Sequence, residues 1–111
     1  MVKNVFYIEK EKFLRSMLEA ALKAKVESIY TVETLENNQY LVEDLKPDLV
    51  IADFNSLKKD EIQYLLDHKN YKLVVSVETN DLELLNSFVG IDHVLMKPIV
   101  VNDLAKKILS F

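Results

Sequence analysis

Short runs of β-branched and aromatic residues alternate along the chain with longer stretches in which apolar residues recur at helical spacing, as in βαβ units built around a parallel sheet. Val5 to Ile8 reads as the first strand, and between Glu11 and Lys25 the positions Leu14, Met17, Leu18, Ala21 and Leu22 fall on one helical face. Ser28 to Val32 reads as the second strand. Thr34 is placed to cap the next helix, in which Leu35, Leu41, Val42 and Leu45 face inward until Pro47 stops it. The apolar run after Pro47 is the third strand and ends at Asp53. Leu57 to Lys69, marked by Ile62, Leu65 and Leu66, is the third helix, and Tyr71 to Val75 or Val77 is the fourth strand. Leu82, Leu85 and Val89 predict a fourth helix, which Gly90, the only glycine, is suited to terminate in a left-handed conformation. His93 to Met96 is the fifth strand, and Val101, Leu104, Ala105 and Ile108 line the last helix.

With 111 residues, half of them apolar, the chain is expected to form a single domain over 1–111 with one modest core. Internal repeats, low-complexity tracts and long linkers are absent from the sequence, and the connections are as short as those of compact α/β units. The net charge of −4, with acids and bases interspersed, provides neither a basic stripe for a nucleic acid nor a polybasic patch for a membrane. Without cysteine there is no disulfide framework, thiolate metal site or cysteine nucleophile. The first apolar stretch is too short for a signal peptide, and no later run reaches spanning length. A soluble, cytoplasmic protein with no nucleic-acid or membrane partner is the expectation.

Polar residues at the ends of the apolar runs supply candidate chemistry. Asp53 closes the third strand, Ser76 follows Lys72–Val75, and Lys97, directly before Pro98, follows His93–Met96. In an open α/β sheet, sites form outside the carboxyl ends of the strands where strand order reverses. With strand order 2-1-3-4-5, the first and third strands are neighbours at that point, so Glu9 and Lys10 border a polar pocket centred on Asp53. A carboxylate can accept a phosphoryl group if nearby groups neutralise the charge on its oxygens. Lys97 offers a positive charge and Ser76 a hydrogen bond, while a magnesium ion in this role needs further acidic oxygens.

These residues, in order and spacing over essentially the whole chain, resemble the receiver domains of bacterial response regulators. The resemblance implies a flavodoxin-like, CheY-like three-layer (βα)5 fold with a five-stranded parallel sheet. It also implies Asp53 as phosphoacceptor, Ser76 as switch hydroxyl, Lys97 as phosphate contact and a cis peptide before Pro98. The chain departs from the family at several positions. The acidic pair that ends the first strand is here Glu9-Lys10, so a cation replaces the acid that ligates the metal. Leu57 and Val77 replace a usual proline and a usual small residue, and Val94 replaces the aromatic switch residue. Two unit charges 4 Å apart attract by roughly 4 kcal/mol at an effective dielectric of 20, so a Lys10–Asp53 ion pair is expected to occupy the metal position.

The expected function is that of an atypical receiver: a non-enzymatic interaction module in a two-component phosphorelay, with a degenerate metal site, no cofactor and weak or absent magnesium-dependent phosphorylation. The alternative is a working, magnesium-dependent Asp53 phosphoacceptor. A small flavodoxin-like enzyme or nucleotide binder is a third reading, disfavoured because one glycine cannot build a phosphate cradle. The expected partner is a protein, either a histidine kinase or a downstream target. Leu84, Phe88, Val94, Val100, Leu109 and Phe111 form a candidate apolar face through which helix 4, strand 5 and helix 5 would also make a homodimer. His68 and His93 have no ligand spacing and receive no role.

Overall fold

The computed structural model describes residues 2–111. Five strands, β1 (Asn4–Ile8), β2 (Ser28–Val32), β3 (Leu49–Asp53), β4 (Lys72–Val77) and β5 (His93–Met96), form one parallel sheet in the order β2-β1-β3-β4-β5. Residues alternate between the two faces of a strand, and a parallel sheet is covered on both, so its central strands are apolar throughout. Here Val5, Tyr7, Leu49, Ile51, Val74 and Leu95 pack on one face against Leu18 and Leu22 of α1 (Lys12–Leu22) and the buried stripe of α5 (Val101–Ser110). Phe6, Ile8, Val50, Ala52, Leu73 and Val75 pack on the other, beneath α2 (Leu41–Asp44), α3 (Lys59–Asp67) and α4 (Leu82–Leu85). The fold is the expected flavodoxin-like three-layer arrangement. Among the described residues no helix is long and apolar enough to cross a membrane.

Register fixes the geometry at the carboxyl end of the sheet. Ile8 pairs with Val32 and Ala52, and Asp53 lies directly opposite Ser76. The Lys97 amide donates to the Val77 carbonyl at 3.0 Å, carrying the ladder one residue beyond β5, and the Lys97–Pro98 peptide is cis.

The helices depart from the predicted pattern where polar side chains compete for the backbone. The helix expected from Thr34 forms only over Leu41–Asp44. The Thr34 hydroxyl accepts the Glu36 amide at 3.2 Å, the Asn38 side chain donates to the Thr34 carbonyl, and Asn37 takes a φ of 64°. Asn tolerates that left-handed conformation and so interrupts a helix. Leu35, Leu41 and Val42 are nevertheless buried as expected.

The fourth helix likewise stops at Leu85, where Ser87 donates its hydroxyl to the Leu84 carbonyl at 2.6 Å. The turn that follows brings Phe88 inward against the core and leaves Val89 90% exposed, reversing the roles expected of the two. Gly90 has a φ of +109°, with Leu66 so near that a Cβ would meet its Cδ2 at 3.2 Å. Met17, expected in the core stripe of the first helix, is exposed because only Leu18 and Leu22 turn fully onto the sheet.

Candidate functional site

Asp53 is completely buried at the end of β3. Its Oδ1 accepts a hydrogen bond from the Ser76 hydroxyl at 3.1 Å and lies 2.5 Å from Lys97 Nζ. Its Oδ2 accepts from the Ser56 hydroxyl at 2.7 Å. Ser76 arrives through the β3–β4 register, Lys97 through the residue after β5, and Ser56 through a 3-10 turn, Phe54–Ser56, that begins directly after Asp53. A buried carboxylate needs such partners, because desolvation of an uncompensated charge is costly.

Glu9, at the end of β1, is also buried. Burial pushes its carboxyl above the ordinary range; the nearby Asp53 adds to that, while the Glu11 amide, Lys97 and Tyr7 oppose it. Its Oε2 accepts the Glu11 amide at 3.1 Å, and its Oε1 accepts from the Tyr7 hydroxyl at 3.4 Å. Burial, reinforced by Glu9 and Asp53, raises the Tyr7 phenol above its usual range. Arg15 Nη1 donates to the carbonyls of Glu9 and Lys10 at 2.6 and 3.0 Å, so the loop from β1 to α1 is held by its own helix.

Lys10 makes no pair with Asp53. Among the described residues the ion pairs are Lys97–Asp53 and Lys69–Asp92, and Lys10 is exposed. The chain has already left the sheet at Lys10, so its ammonium stays hydrated at the mouth of the site while Lys97 reaches the buried carboxylate. An open cleft of about 370 Å³ lies there, lined by Glu9, Lys10, Asn55, Glu78, Lys97 and Pro98 among others.

No family model matches the sequence. The chain is 26% identical over 110 residues, 95% of its length, to the KDP operon transcriptional regulatory protein KdpE of Escherichia coli (strain K12). It spans about half (49%) of that relative. The structure superposes on the receiver domain of a response regulator from Bermanella marisrubri with a TM-score of 0.80 at 18% identity, covering 99% of this chain and 98% of the other. It superposes on HP1043, an orphan response regulator of H. pylori, with a TM-score of 0.78 at 24% identity, covering 97% and 94%. These two are likenesses of fold, and the first is a likeness of sequence. The chain has the fold of response-regulator receiver domains and is similar in sequence to one response regulator.

Magnesium, which the receiver family implies, takes octahedral oxygen ligands. Here Glu9 is engaged by Tyr7 and Glu11, both Asp53 oxygens are engaged, and a lysine stands beside Glu9. Among the described residues no three carboxylate, histidine or cysteine side chains converge on a common point. The buried acidic oxygens at the site are those of Glu9 and Asp53, both already hydrogen-bonded, with Lys10 where a second acid would follow β1, a poorer donor set for magnesium than an acidic pair.

Sequence reasoning missed Ser56, Tyr7 and Arg15. A hydroxyl within three residues of Asp53, in a connection this short, was the available signal for Ser56. Of the apolar face, Leu84, Val94, Val100 and Leu109 are exposed, together with Met96. Phe88 is turned inward, and Phe111 folds back to stack on His93 with ring centroids 4.4 Å apart. His68 stacks on Tyr64 at 4.0 Å.

Proposed function

We propose that this chain is an atypical receiver domain, a non-enzymatic interaction module of a cytoplasmic two-component system whose output does not depend on magnesium-assisted phosphorylation. The observation that carries the reading is the state of Asp53, buried and held by Lys97, Ser76 and Ser56, beside a position where Lys10 replaces an acid. An ammonium supplies neither the coordination geometry nor the divalent charge of a metal. The Lys97–Asp53 pair, rather than one made by Lys10, holds the domain in a single state.

The second reading, a working phosphoacceptor, is favoured by the convergence of Ser76 and Lys97 on one Asp53 oxygen, since these groups would neutralise charge on a transferred phosphoryl group. Intact mass after treatment with a small phosphodonor and magnesium separates the two. Wild type is expected to show little or no phosphoryl adduct, and Lys10→Asp, which restores an acid, to show more. A rapid, stoichiometric wild-type adduct that Asp53→Asn abolishes would overturn the proposal.

The partner is a protein, a kinase or a downstream target. Val94, Met96 and Val100 line a shallow cleft of about 310 Å³ between β5 and α5 and, with the exposed Leu84 and Leu109, make this the face for self-association or target binding.

A further inference from the structure

Ser56 hydrogen-bonds both Asp53 and the loop that carries Lys10. Its hydroxyl donates to Asp53 Oδ2 at 2.7 Å and accepts the Lys10 amide at 2.8 Å. A hydroxyl has a single proton, so its direction is set by the better acceptor, here the carboxylate, and its lone pairs are left to Lys10. The rest of the loop is tied down independently of Asp53. The Glu9 amide donates to the Val32 carbonyl, the Glu11 amide to Glu9 Oε2, and Arg15 holds the carbonyls of Glu9 and Lys10. The Lys10 amide is thus the point at which the loop senses the carboxylate.

We infer that Ser56 is a positioning residue that couples the chemical state of Asp53 to the conformation of the loop from Glu9 to Glu11. The inference deepens the proposed function and rests on its reading of Asp53 as the centre of the site. When Oδ2 loses its anionic character, the Ser56 proton no longer has a charged acceptor, the polarisation of its oxygen falls, and the bond to Lys10 weakens. Such coupling runs toward the start of α1. It requires no aromatic rotamer, and the residue at the corresponding place in β5 is Val94.

The test is nuclear magnetic resonance of the full chain, without phosphodonor or magnesium, so that its failure is separate from any failure to phosphorylate. The Lys10 amide shift is compared for wild type, Asp53→Asn, Ser56→Ala and the double variant. Asp53→Asn is expected to move the Lys10 amide in the presence of Ser56 and to leave it unmoved in the Ser56→Ala background. Ser56→Ala alone should speed hydrogen exchange at Lys10 by about five- to tenfold, as for one ordinary hydrogen bond. Ser56→Thr, which keeps the hydroxyl, is expected to restore the response to Asp53→Asn. Equal movement of Lys10 in the Ser56 and Ser56→Ala backgrounds, or a response that Ser56→Thr fails to restore, overturns the inference.

Discussion

Asp53 has no solvent exposure, and its charge is balanced by one ammonium and two hydroxyls. Removing the ammonium leaves a buried charge with only neutral donors, so Lys97→Met is expected to cost about 2 kcal/mol of stability. Asp53→Asn in the same background should recover most of the loss, a coupling that a urea-denaturation double-mutant cycle measures directly. Glu9 behaves in the opposite sense to a paired acid. Its carboxyl is raised from 4.5, chiefly by burial, so the folded protein retains a proton that the unfolded chain releases. Stability from this group is full below pH 4.5 and declines as pH rises through the folded value. Glu9→Gln should flatten that decline, giving urea midpoints that exceed wild type by a growing margin toward neutral pH.

At the scale of elements, the short fourth helix gives the clearest contrast. Phe88 packs against the core and Val89 does not, so Phe88→Ala is expected to lower stability by about 2 kcal/mol and Val89→Asp by less than about 0.5 kcal/mol. Thermal or urea unfolding of the two variants checks the assignment, and the uninterrupted helix read from Leu82, Leu85 and Val89 would have given the reverse order. β3 was legible because two-sided burial writes an unbroken apolar run, and the border strands β2 and β5, partly exposed, lie where their β-branched and aromatic or apolar residues put them. Helices 2 and 4 were less so, since Thr34, Asn38 and Ser87 make hydrogen bonds with the backbone, and Asn37 turns left-handed, in ways that helical periodicity cannot foresee. The same distinction runs through the site. Asp53, Ser76 and Lys97 occupy strand ends, where register determines what meets what. Lys10 and Ser56 sit in loops, where side-chain direction depends on contacts that spacing does not encode.

Across the whole molecule, the sheet separates two apolar layers, and the polar site lies at its carboxyl edge. Away from that site, the exposed residues of α4, β5 and α5 are the surface on which association should depend. Val94→Lys is expected to abolish any concentration-dependent dimerisation, with the Asp53 network unchanged, as read by sedimentation velocity together with the Lys97→Met cycle. Dimerisation that persists undiminished in that variant would assign association to another face. The junction after β5 has a consequence of its own. β5 is a border strand, four residues long, with β4 on one side only. Its outward main-chain groups are the kind of free margin onto which a foreign strand can add. Directly beyond it Lys97 turns inward to Asp53, and Pro98 has no amide proton to offer. The dipeptide that closes the polar site therefore also ends the strand at this border, limiting its free margin to the four residues of β5.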